Sequence, residues 1–127
     1  MLDLSLKSDG HEPKVLVIIP AFNERDCILD TVKSIKATGY DYVVINDGST
    51  DDTFVICVNN GVNVLNLPQN LGIGGAIQAG HKYALRYGYD IDIQVDGDGQ
   101  HDPRFIKNLV DQINNGANLV VGSWFLV

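Results

Sequence analysis

Apolar residues fall into short runs separated by stretches whose apolar positions recur at helical spacing. Lys14 to Pro20 (KVLVIIP), Asp41 to Asn46 (DYVVIN), Val62 to Leu67, Ile91 to Val95 and Ala117 to Val121 predict five strands. The first is a continuous apolar run, as expected of a strand covered by helices on both faces. Between the runs, Ile28, Val32 and Ile35 mark a helix that stops at Gly39, with Asn23 placed to cap it. Ser49 or Thr50 is placed to cap a second helix with an acidic first turn, Asp51 and Asp52. A third carries Ile77, His81, Ala84 and Leu85 on one side. A fourth opens at Asp102-Pro103, with Phe105, Ile106, Leu109, Val110 and Ile113 as its buried face.

This alternation predicts an α/β fold: a mostly parallel twisted sheet with helices on both faces, Rossmann-like, in one unit over residues 14–127 after a flexible lead-in of residues 1–13. Right-handed crossovers give the early strand order 3-2-1-4, with a switch point between the first and fourth strands. Ligands in such sheets lie outside the carboxyl ends of the strands. Four loops deliver polar residues there: Asn23 and Glu24, Asp47, Asn70, and Asp96 with Asp98.

The fourth of these loops carries the sharpest chemical signal. Asp96-Gly97-Asp98-Gly99-Gln100-His101-Asp102 follows a strand and turns on glycines, so its carboxylates can converge on one hard cation, Mg2+ or Mn2+. An EF-hand calcium loop does not fit, since His101 falls on the glycine position and Lys107 on that of the closing glutamate. A solvated Asp-Gly turn and an aspartyl-phosphatase nucleophile remain open on local grounds. Gly72, Gly74 and Gly75 form an incomplete dinucleotide fingerprint, because Ile77 stands where its last glycine belongs; they let a helix start close to a backbone or ligand.

Composition narrows the partners. With a net charge of −7 and nine scattered basic residues, the chain does not suit nucleic acid, and a bound diphosphate would be neutralised by a metal ion and helix N-termini. The apolar runs near the start are too short for a membrane span or signal peptide, so a cytoplasmic setting, at most peripheral to the membrane, is expected. Cys27 and Cys57 have no metal spacing and are read as buried thiols.

Val17 to Glu24 (VIIPAFNE), Ile45 to Thr53 (INDGSTDDT), Asn70 to Ala76 (NLGIGGA) and Val95 to Pro103 (VDGDGQHDP) together resemble the successive motifs of family 2 glycosyltransferases, which have the GT-A fold. The likeness is to the branch of dolichyl-phosphate mannose and polyprenyl-phosphate glucose synthases. It implies metal-dependent transfer of a sugar, with inversion, from a UDP- or GDP-linked donor to a hydroxyl of a saccharide or to a polyprenyl phosphate, as in cell-wall, polysaccharide or glycolipid synthesis. It also implies that Pro20, Ala21, Phe22 and Glu24 line the nucleotide pocket, that Asp47 bonds the base, and that Asn70 and Gly72 complete the pocket. The Asp96-Gly97-Asp98 loop matches the DxD motif, which implies that Asp96 and Gly97 help hold the nucleotide and that Asp98 binds the metal, with Gln100 and Asp96 as further ligands. Gly122-Ser123-Trp124 stands where the family has Gly-Ser-Arg. Family domains continue well beyond this length, so the catalytic base is expected outside the chain and the apolar ending, Trp124 to Val127, is expected to favour self-association. The alternative is a nucleotide-binding or scaffolding remnant without turnover.

Overall fold

The computed structural model describes residues 13–97 and 103–114. Along the chain run β1 (Val15–Ala21), α1 (Ile28–Lys36), β2 (Asp41–Asn46), α2 (Thr53–Asn59), β3 (Val64–Asn66), α3 (Gly72–Arg86), β4 (Ile91–Gln94) and α4 (Pro103–Asn114). The strands pair in parallel in the order β3-β2-β1-β4, as the crossover rule requires. Residues 1–12 of the lead-in, the strand expected at 117–121, Trp124 and the apolar ending lie outside the described residues.

Every residue of β1 is buried, and alternation along it divides the core in two. Val15, Val17, Ile19 and Ala21 pack with Ile28, Val32 and Ile35 of α1, Cys57 of α2, and Ile106, Leu109, Val110 and Ile113 of α4. Leu16 and Ile18 face the other way, against Ala76 and Ala84 of α3 and the β2 residues Val43 and Ile45. α3 therefore covers one face and the remaining helices the other.

Several local expectations change. The buried stripe of α3 is Ala76, Gly80 and Ala84, whereas Leu85 is exposed and Ile77 half-buried. The reason is close approach to the sheet: a Cβ on Gly80 would lie 2.5 Å from Cγ2 of Ile18. Phe105 is likewise exposed, at the margin of the apolar face of α4. β3 is shorter than the apolar run predicts, since the N–H of Val62 still closes α2 by bonding the Cys57 carbonyl at 3.0 Å. Cys57 is buried, but Cys27, at the start of α1, is only half-buried.

The capping assignments also move. α1 starts after Cys27 with no side-chain cap, and Asn23 bonds elsewhere. α2 starts after Asp52, with Asp51 Oδ1 accepting the N–H of Thr53 at 2.9 Å, so neither Ser49 nor Thr50 caps it.

Candidate functional site

At the carboxyl ends of the strands the polar residues of neighbouring loops tie those loops together. Asn23 has a positive φ of 53°, in the left-handed region that asparagine tolerates better than most residues. Its Oδ1 accepts the backbone N–H of Thr50 at 2.8 Å and of Asp51 at 3.2 Å. In return, the N–H groups of Asn23 and Glu24 donate to Ser49 Oγ and Thr53 Oγ1, each at 3.0 Å. The line continues across the sheet: Ser49 donates to Asn46 Oδ1 at 2.6 Å, and Asn46 Nδ2 donates to Asn66 Oδ1 at 2.7 Å.

Asp47, only 4% exposed, links β2 to the start of α3. Its N–H donates to the Ala21 carbonyl at 2.9 Å, and its Oδ1 accepts the N–H of Leu71 at 2.7 Å. Gly48 lets the two loops touch: its φ is +66°, and a Cβ there would lie 2.3 Å from the backbone nitrogen of Asn70. On the other flank, the Gly97 carbonyl accepts a buried bond from Thr31 Oγ1 at 3.0 Å, and a Cβ on Gly97 would meet the Pro20 carbonyl at 3.0 Å. Asp96 is thereby held against the end of β1, and its Oδ1 accepts from Gln94 Nε2 at 3.4 Å.

These loops enclose a cleft of about 320 Å3. Pro20, Ala21, Phe22, Glu24, Asp47, Asn70, Gly72, Asp96 and Gly97, the nucleotide-contact residues expected from sequence, all line it. Ile73 and Ala76 line it too and were not foreseen; Ile73, 59% exposed, carried no signal beyond an apolar residue between glycines. Asn23 is not part of the lining: it holds the loops from outside. Of the expected metal ligands Asp96 is present in the lining, while Asp98 and Gln100 lie outside the described residues. A larger cleft, about 550 Å3, lies by the start of β2, lined by residues that include Ser34, Tyr40, Arg104 and Lys107, and holds none of the expected residues.

The described lining has three carboxylates, Glu24, Asp47 and Asp96, and no lysine or arginine. Such a wall repels a bare diphosphate and suits one accompanied by a hard divalent cation, whose oxygen-donor preference Asp96 meets. The start of α3 adds backbone N–H groups and the positive end of the helix dipole beside the lining residue Gly72. Among the described residues, no helix is long and apolar enough to cross a membrane.

Known proteins share both the sequence and this architecture. Residues 16–127 match the family described as Glycosyl transferase family 2. A polyprenol monophosphomannose synthase of Mycolicibacterium smegmatis is 31% identical, over 89% of this chain and 46% of its own. A UDP-N-acetylglucosamine–dolichyl-phosphate N-acetylglucosaminyltransferase of Methanococcus voltae is 35% identical, over 86% of this chain and 51% of its own. The chain thus spans about half the length of the relatives it matches. Among solved structures, glucosyl-3-phosphoglycerate synthase of Mycobacterium tuberculosis in complex with Mn2+, UDP-glucose and phosphoglyceric acid superposes with a TM-score of 0.68 at 26% identity, covering 89% of this chain and 43% of that one. Strand order, sheet and helices match these GT-A neighbours, and the chain belongs to glycosyltransferase family 2.

Proposed function

We propose that the cleft binds a UDP- or GDP-linked sugar and that the chain is the donor-binding part of an enzyme that passes the sugar to a polyprenyl phosphate or a saccharide hydroxyl. The observation that carries this reading is the convergence of all four strand-end loops on one carboxylate-lined cleft. The names of the relatives, two of which act on polyprenol or dolichyl phosphate, support the lipid acceptor.

Several lining residues have a task in this reading. Phe22, 44% exposed, offers an apolar surface to the nucleobase. Asp47 keeps Oδ1 on Leu71 and turns its other oxygen to a base N–H, while Glu24 reaches the base or ribose. The N–H groups at the start of α3 face the diphosphate. Asp96, with Asp98 and Gln100, would hold Mg2+ or Mn2+, which stabilises the negative charge of a departing diphosphate. Gly97 keeps the loop pressed on β1, so that Asp96 stays at the cleft wall.

Thermal melts with a nucleotide panel test this. UDP, GDP and their sugars, with Mn2+, should raise the melting temperature, since a ligand at a hundredfold excess over its Kd adds about 2.7 kcal/mol of stability. A shift of the same size with ADP, or none with UDP and GDP species, would overturn the assignment.

A further inference from the structure

The described lining of the cleft is rich in hydrogen-bond acceptors and poor in donors. Its side chains supply four polar groups, the carboxylates of Glu24, Asp47 and Asp96 and the amide of Asn70. The Asn70 amide oxygen accepts the N–H of Gly72 at 3.0 Å, so its Nδ2 is the one side-chain donor among the described lining residues. Asp47 Oδ1 is held by the N–H of Leu71 at 2.7 Å, and Oδ2 is the oxygen left for a ligand. Backbone donors at this end are spent within the protein as well. The N–H of Glu24 goes to Thr53 Oγ1 at 3.0 Å and that of Asp47 to the Ala21 carbonyl at 2.9 Å. Glu24 and Asp47 follow the ends of β1 and β2, which pair side by side through Ala21 and Asn46.

In the nucleotide reading Asp96 faces the cation, which leaves one donor, Asn70 Nδ2, and two acceptors, Asp47 and Glu24, for the base. The bases differ in what they need. Guanine presents the acceptor O6 beside two donors, N1–H and N2–H2, so its complement is one donor and two acceptors. Uracil presents N3–H between two carbonyls and needs two donors and one acceptor; here the second carboxylate would face a carbonyl oxygen. Adenine and cytosine set a ring-nitrogen acceptor next to their amino group, where a carboxylate is again opposed by an acceptor. From this inventory we infer that the cleft selects guanine, with Asp47 Oδ2 and the Glu24 carboxylate accepting N1–H and N2–H2 and Asn70 Nδ2 donating to O6. Discrimination follows because a base of the wrong pattern leaves these polar groups unpaired. The inference rests on the nucleotide reading of the cleft and narrows its donor to a GDP-linked sugar.

Calorimetry in Mn2+ with GDP, UDP and IDP tests it, since the three share ribose and diphosphate and differ only in the base. GDP should bind at least about tenfold more tightly than UDP. IDP, which lacks the guanine 2-amino group, should fall below GDP. In Asp47→Asn the side-chain oxygen stays on the Leu71 N–H, so an N–H2 group replaces Oδ2 and opposes the guanine N1–H. That variant should lose GDP affinity about tenfold and UDP affinity by less, so that the preference collapses. UDP binding as tightly as GDP or more tightly overturns the base assignment and leaves the reading of the cleft standing. IDP equal to GDP, or an unchanged GDP-to-UDP ratio in Asp47→Asn, overturns the assigned contacts. Binding of none of the three overturns the reading of the cleft and the base assignment with it.

Discussion

Asp47 Oδ1 accepts the backbone N–H of Leu71 at 2.7 Å, so a carboxylate at the end of β2 fixes the start of α3 across 24 residues of chain. That bond separates what Asp47 does for the fold from what it does for a ligand. Asp47→Asn keeps an oxygen for Leu71 and loses the charge. Binding of the preferred nucleotide should weaken by about 1–3 kcal/mol, as for a spoiled charge-assisted bond, with little change in melting temperature. Asp47→Ala should lose stability as well, because the Leu71 N–H is left without its acceptor. Calorimetry and thermal melts on the two variants separate the effects, and an Asp47→Asn protein with parental affinity would make Asp47 a loop anchor only.

Asn23 joins two loops through one side-chain oxygen and holds a positive φ while doing so. Asn23→Ala should destabilise the chain by about 1–3 kcal/mol, from lost hydrogen bonds and from a backbone conformation alanine disfavours. Asn23→Gly should recover the backbone part alone. Urea denaturation midpoints of the three proteins check this ordering.

Gly80 permits α3 to lie on β1, with Ile18 Cγ2, Cδ1 and Cγ1 between 2.5 and 3.0 Å from the position of an added Cβ. Overpacking costs about 1–3 kcal/mol, and the better helix propensity of alanine offsets about 1 kcal/mol of it. Gly80→Ala should therefore melt at a lower temperature than the parent, and Ile18→Val in the same chain should recover part of the loss. A melting temperature equal to or above the parent's would show that Ile18 moves aside freely.

Asp92 gives a pH dependence of definite sign. Its carboxyl is raised in the folded state, chiefly by burial, so the folded chain binds this proton more tightly than the unfolded chain does. Stability from this group is therefore greatest at low pH and falls as pH rises from about 4, the ordinary carboxylate pKa, through the raised value. Asp92→Asn should flatten that slope and gain stability over the parent toward neutral pH. Urea melts at several pH values read this directly; a variant with the parental slope would remove Asp92 as its source.

The outline of the fold was legible because its signals are local. DYVVIN is bounded by polar residues and became β2 residue for residue, and the handedness of crossovers fixed the strand order once the alternation was read. The cleft residues were legible for a similar reason: each sits within a few positions of a strand end, where a parallel sheet gathers its loops, and the motifs they form resemble those of the family. What was not legible depends on distances between elements. Hydropathy favours Ile77 and Leu85 for the inner face of α3, but close approach to Ile18 selects Ala76, Gly80 and Ala84. Asn23 read as a cap for the helix that follows it, because the loop it actually bonds begins 26 residues later. His81 and Asp92 show no motif and meet only because α3 crosses the face of β4.

The central claim, that this acidic cleft takes a nucleoside diphosphate together with a divalent cation, is tested most directly by titrating UDP and GDP into the protein by calorimetry, once in Mn2+ and once in a chelator. One of the two nucleotides should bind at least about tenfold more tightly in Mn2+, a difference of about 1.4 kcal/mol, and Asp96→Asn should reduce that difference. Equal affinity in Mn2+ and in chelator, or no binding of either nucleotide, would contradict the claim.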